Sequence, residues 1–247
     1  MTLAGILFDK DGTFVDFDKT WGSATYEVMR IMSTDDPDAF DRIVEAMHYD
    51  VETKRFRPSS PLIAGAPDTY VHLWAEAFRR KNNPAMLDDL NRHFADQTLR
   101  SLAPIGRPSQ VMDALHARGL KLGLATNDSE ASGRAQVAAL GLNGHMDFMA
   151  GYDSGHGAKP GPGMVLAFAD WLGVAPARVA MVGDSVHDLA AARAAGALAV
   201  AVLTGPATRD LLEPLADYVL DGIEGLPALV DDIGRGISGP KPIASMD

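Results

Sequence analysis

Short apolar runs alternate along most of the chain with longer segments whose apolar residues recur at helical spacing. Leu3–Phe8, Leu120–Ala125, Val179–Val182 and Leu198–Leu203 are almost continuously apolar, and Phe148–Ala150 and Tyr218–Leu220 are shorter runs of the same kind. Runs of this length without polar alternation predict strands buried on both faces, as in a parallel sheet. Between them, Pro108–Arg118, Ser129–Leu140, Gly163–Leu172, Val186–Ala195 and Ala207–Leu212 predict helices. The repeated strand-then-helix order predicts an α/β fold: a doubly wound, parallel-sheet, Rossmann-like core. In such sheets ligands bind at the carboxyl ends of the strands, where Asp9, Thr126 and Asp184 lie.

The stretch from Asp16 to Leu102 breaks this rhythm and reads as helices only: Thr20–Ser33, Pro37–Tyr49, Pro67–Arg80 and Pro84–Leu102. Three of these open on proline, whose missing N–H is harmless in a first helical turn. Leu73, Trp74 and Phe78, with His72, give a mixed apolar face suited to a helical bundle. The expected organisation is a core of residues 1–15 and 102–235, an all-α insertion at 16–101, and a flexible Gly/Pro/Ser-rich tail at 236–247.

Composition then narrows the function classes. The 247 residues contain no cysteine, which excludes disulfides, zinc–thiolate sites and thiol catalysis and suits a reducing, cytoplasmic setting. The first apolar run is too short for a signal peptide, and no later one reaches the ~18 residues of a membrane span, so a membrane association is not expected. A net charge of -11 argues against nucleic acid as a partner. It leaves an anionic small molecule open, because a local cation overrules a global field.

Four segments carry candidate chemistry. In FDKDGT, Asp9 and Asp11 share a side of an extended segment, and carboxylates so placed suit a cation such as Mg²⁺. Lys10 is expected to point away with little consequence. In LATND, Thr126 and Asn127 can hydrogen-bond phosphate oxygens, although Thr126, Asn127 or Asp128 would serve equally as a helix cap. In HGAKPGPGM, Pro160 stiffens the loop that carries Lys159, a lysine placed to offset negative charge, while His156 reads as a surface residue among glycines. In VGDSVHDL, Asp188 follows Asp184 by four residues, a spacing that serves a metal or simply the helix macrodipole.

Taken together, these motifs resemble the haloacid dehalogenase-like hydrolase superfamily, with phosphoglycolate phosphatase-like enzymes the nearest in pattern and the helical insertion similar to its small cap. The resemblance covers residues 1–15 and 102–233. It implies Asp9 as nucleophile, Asp11 as general acid/base, Thr126 and Asn127 as phosphate ligands, and Lys159 as the stabilising lysine. It also implies Mg²⁺ held by Asp9, Asp184, the main-chain carbonyl of Asp11, and Asp188 as ligand or supporting partner. Lys10, Phe14 and Phe17 depart from the commoner residues, Phe17 near the cap hinge, where Asp16 also matches. Asp11 favours phosphate-ester hydrolysis or phosphomutase chemistry over dehalogenation. The expected function is a Mg²⁺-dependent phosphatase of a small phosphorylated metabolite, as monomer or homodimer. The alternatives are a sugar phosphomutase and a non-catalytic phospho-ligand-binding module. In the insertion, Lys54, Arg55, Arg57 and Ser59 of TKRFRPSSP are expected either to contact an acidic leaving group or to form a solvated loop.

Overall fold

The computed structural model describes residues 2–63 and 65–237; most of the tail expected to be flexible, residues 238–247, lies outside the described residues. Strand β1 (Gly5–Phe8) leads into a short π-helical turn (Asp18–Gly22) and helices α1 (Ser23–Met32) and α2 (Pro37–Ala46). Strands β2 (Tyr49–Asp50) and β3 (Arg55–Phe56) and helices α3 (Pro67–Ala77) and α4 (Pro84–Arg100) complete the insertion. Proline occupies the first turn of α2, α3 and α4, as the sequence predicts. Asn83 caps α4 by accepting the Met86 N–H at 3.1 Å.

The expectation of helices only is corrected by the antiparallel pair β2–β3, which pairs Tyr49 with Phe56. Helix α2 stops at Ala46 rather than Tyr49 because His48 adopts φ +48°, a left-handed conformation that no helix can continue through.

The core then alternates α5 (Pro108–His116), β4 (Lys121–Ala125), α6 (Glu130–Ala139), β5 (Phe148–Ala150), α7 (Gly163–Leu172) and β6 (Val179–Gly183). It closes with α8 (Val186–Ala195), β7 (Leu198–Val202), α9 (Arg209–Leu212), β8 (Tyr218–Leu220) and α10 (Leu226–Gly234), the last of which the sequence pattern did not predict. The six strands pair in parallel in the order β5-β4-β1-β6-β7-β8. Side chains alternate across the sheet: Ile6, Phe8, Leu122, Leu124 and Val182 feed one apolar cluster, Leu7, Ala125 and Met181 the other. Both faces are therefore buried, which is why these strands read as unbroken apolar runs.

The insertion has an apolar cluster of its own, centred on Trp74, which is fully buried and packs on Phe78 and Phe94. Its two chain crossings lie side by side: the Asp16 N–H donates to Ala103 O at 2.8 Å, and the Ala103 N–H to Thr20 Oγ1 at 3.1 Å. Chain order runs outward from β1 to β4 and β5, then returns to β6 on the other side of β1. The carboxyl end of β1 is thus the switch point where such sheets form a crevice.

Candidate active site

Asp9 directly follows β1, and its N–H continues the ladder to Val182 O at 2.8 Å. Thr126 follows β4, and Asp184 follows β6, the two strands that flank β1. Sheet topology alone therefore brings together residues more than a hundred positions apart. Carboxylate oxygens of Asp9, Asp184 and Asp188 lie within 4.8 Å of one another, and all three residues are buried.

Lys159 enters this cluster from the loop before α7. Its ammonium donates to Asp9 Oδ1 at 2.5 Å, Asp188 Oδ1 at 2.6 Å and Ala125 O at 2.8 Å, which uses all three of its N–H groups. Burial opposes its charge, but Asp188 and Asp9 outweigh that cost and hold the ammonium firmly protonated. Asn127 fixes the loop: its Oδ1 accepts the Lys159 N–H and its Nδ2 donates to Lys159 O, each at 2.9 Å. Its side-chain amide therefore positions the lysine.

Asp188 accepts at both oxygens. Oδ1 takes Lys159, and Oδ2 takes the Ser185 N–H at 3.0 Å and hydroxyl at 2.6 Å in a capping box for α8. The same carboxylate thus caps α8 and pairs with Lys159. Helix α6 is capped by Ser129 instead of Thr126, Asn127 or Asp128.

Burial raises the Asp9 carboxyl to about 7, with Asp188 and Asp11 adding to the effect against the pull of Lys159. Burial, then Asp9 and Asp188, raise Asp184 well above the carboxylate range. Three carboxylates around one ammonium are short of positive charge, and an all-oxygen donor set with this deficit fits a hard divalent cation. Room for the carboxylates is kept by glycine. A Cβ at Gly12 or Gly205 would fall on the Asp184 carboxylate, and one at Gly183 on Asp188. Gly12 also holds φ +77° in the turn that ends the first motif. Gly205, just beyond β7, was not singled out in the sequence, although it stands at the carboxyl end of a buried strand.

Lys10 departs from expectation. It is fully buried, and its ammonium donates to Asp11 Oδ2 at 2.6 Å and Gln136 Oε1 at 2.7 Å. Gln136 Nε2 in turn donates to Thr98 Oγ1 in α4 at 3.0 Å, and the Lys10 ammonium lies 5.6 Å from the Trp21 ring centre. Strand alternation predicts only where Cβ leaves the backbone, and the extended run ends at once in the Gly12 turn. Lysine's long stem then reaches the next carboxylate. Asp11 Oδ1 is buried without a partner among the described residues.

Asp9, Asp11, Thr126, Asn127, Lys159 and Asp184 line a cavity of about 410 Å³ walled on one side by the insertion. The insertion's wall includes Phe56, Pro58 and Ser60, but Lys54, Arg55, Arg57 and Ser59 are exposed and absent from it. For Arg55 and Arg57 alternation along β3 is the reason, since burying Phe56 turns its two neighbours outward. Arg55 pairs with Asp18 at 3.1 Å, and the Lys54 ammonium sits 4.2 Å from the Tyr26 ring centre. His156 is exposed, in keeping with its sequence context.

Residues 3–196 match the family model described as haloacid dehalogenase-like hydrolase. A phosphoglycolate phosphatase of Chromobacterium violaceum is 30% identical over 91% of this chain and 95% of its own length. Another, of Rhodospirillum rubrum, is 33% identical over 61% of this chain and 59% of its own. Among solved structures, a β-phosphoglucomutase of Clostridium difficile superimposes with a TM-score of 0.68 at 19% identity, covering 96% of this chain and 99% of that one, a likeness of fold.

Proposed function

The chain belongs to the haloacid dehalogenase-like hydrolase family, and on that premise we propose that it is a Mg²⁺-dependent phosphatase hydrolysing a small-molecule phosphate monoester through an aspartyl-phosphate on Asp9. The observation that carries this reading is the meeting of Asp9, Asp184, Asp188 and Lys159, drawn from three separate segments, at one cavity whose lining includes Asp9, Lys159 and Asp184. Names borne by the relatives, phosphoglycolate phosphatase among them, agree with it.

Lys159 grips Asp9 Oδ1, so the carboxylate presents its other oxygen to phosphorus. That oxygen forms the new P–O bond while the bond to the ester oxygen breaks. Asp11, as general acid, passes a proton to the departing alkoxide and then, as general base, takes one from water. The water oxygen attacks phosphorus, releasing inorganic phosphate and restoring Asp9. Thr126, buried at the end of β4, donates its hydroxyl to a phosphoryl oxygen. Asp9, Asp184 and the main-chain carbonyl of Asp11 would hold Mg²⁺, and Asp188, whose oxygens are already hydrogen-bonded, orients Lys159 beside them. When bound, the ion neutralises phosphoryl oxygens so that an anionic nucleophile can approach an anionic ester.

Replacing Asp9 by Asn removes the nucleophile at nearly constant volume. Turnover of p-nitrophenyl phosphate by Asp9→Asn should fall by about a thousandfold or more, with the circular dichroism spectrum unchanged. Retained turnover would refute Asp9 as nucleophile. With a hexose 1-phosphate, time-resolved ³¹P NMR should show inorganic phosphate rather than an isomeric sugar phosphate.

A further inference from the structure

The cavity has a polar floor and an apolar wall. Opposite the carboxylates stand Phe17, Phe56, Leu62, Ile63 and Tyr70 of the insertion. Among the described lining residues, the insertion contributes no lysine or arginine, and its polar side chains there are Ser60, Tyr70 and Trp21. On the floor, Lys159 already has every N–H engaged. A leaving group bearing its own carboxylate would meet the lining carboxylates of Asp9, Asp11, Asp128 and Asp184, and the insertion supplies no lysine or arginine there to pair with it. A hydrocarbon leaving group meets no such cost and removes apolar wall from water.

The mouth of the cavity gives a second, independent observation. Leu211 and Val186 are large apolar side chains that remain 59% and 39% exposed, and both belong to the lining. Apolar surface left open at the rim of a cavity is surface for a ligand to cover. At about 410 Å³ the space far exceeds a phosphoryl group and falls in the range of roughly 300–1,000 Å³ typical of pockets that enclose drug-sized molecules.

We propose that the substrate is a phosphate monoester of an apolar alcohol, aryl or medium-chain alkyl, whose phosphoryl group lies at Asp9 and whose hydrocarbon body lies against Phe56, Leu62 and Ile63 and reaches Leu211. The proposal rests on the phosphatase reading above and names the leaving group for it. Family membership sets the chemistry at phosphorus; the wall selects what leaves.

The test measures kcat/KM with Mg²⁺ for methyl, butyl, hexyl and phenyl phosphate and for 2-phosphoglycolate. Values should climb by about two- to fourfold per methylene, and phosphoglycolate should fall about tenfold or more below butyl phosphate. Ile63→Ser and Leu211→Ser, one inside the wall and one at the mouth, should each cut the hexyl-to-methyl ratio by about fivefold. A ratio unmoved in both variants, a flat series, or phosphoglycolate as the best substrate would overturn the proposal while leaving the phosphatase reading standing. Absence of turnover for every ester, p-nitrophenyl phosphate included, would overturn both.

Discussion

At the residue scale, the site is a problem of charge. Asp9, Asp184 and Asp188 are buried together against one ammonium, and the local balance is held by hydrogen bonds whose partners come from distant segments. Lys10 shows how one buried side chain links two parts of the molecule. It ties Asp11 to Gln136, and Gln136 ties on to Thr98 in the insertion. Lys10→Met should therefore lower kcat by about tenfold with KM little changed, because Asp11, the proposed proton-transfer group, loses its orientation while the proposed phosphate contact of Thr126 remains. Equal losses in KM and kcat, or none, would assign Lys10 to packing. Of these residues, Asp9, Thr126 and Asp184 were legible as motifs at strand ends, and Lys159 as part of a proline-stiffened loop. The Lys10–Gln136 contact was not, since it joins residues 126 positions apart that share no local pattern.

At the element scale, buried strands and proline-opened helices were legible because each leaves a periodic or positional mark over several residues. The β2–β3 pair leaves none: two residues per strand give no period to read, and Arg55 and Arg57 on either side of Phe56 look like a basic loop. The same two-residue alternation turns those arginines away from the cavity and into solvent, the second of the two readings the sequence offered. Helix α10 packs Leu226, Leu229 and Ile233 on the core and was passed over beside the Gly-rich tail. Gly205→Ala, after β7, places a methyl group on the Asp184 carboxylate and should weaken Mg²⁺ binding, read by titrating activity with the metal, by about 10- to 100-fold. An unchanged Mg²⁺ requirement would show that Asp184 is not a ligand. Trp74→Ala should cost about 3–5 kcal/mol in urea unfolding, because it empties the centre of the insertion's apolar cluster; a loss under 1 kcal/mol, the tolerance of a site that simply repacks, would contradict that central place.

For the whole molecule, the same buried carboxylates couple stability to pH and to metal. Asp9 and Asp184 have raised folded-state values, chiefly through burial, so without metal the folded state binds more protons than the unfolded one above about pH 4. Stability of the metal-free protein should then decline as pH rises from about 4 to 7. Mg²⁺ present at about 100 times its Kd should add about 2.7 kcal/mol, and the gain in Tm should be larger at pH 7.5 than at pH 5, where protons compete for the same oxygens. A gain that is equal at both pH values would separate the ion from these groups. The net charge of -11 gave no hint of the cavity's character. Wall and floor are assembled from the insertion and from three strand ends, and only the folded chain puts an apolar face opposite an anionic one.

Transfer of phosphorus to the carboxylate of Asp9 is the step on which the account stands. It is tested most directly by mixing enzyme with ³²P-labelled p-nitrophenyl phosphate, quenching in acid within a turnover and locating the label. The account predicts a hydroxylamine-labile label on the peptide containing Asp9 and none on Asp9→Asn protein. Turnover of the ester with label on another residue, or with no labelled protein at any quench time, would contradict it.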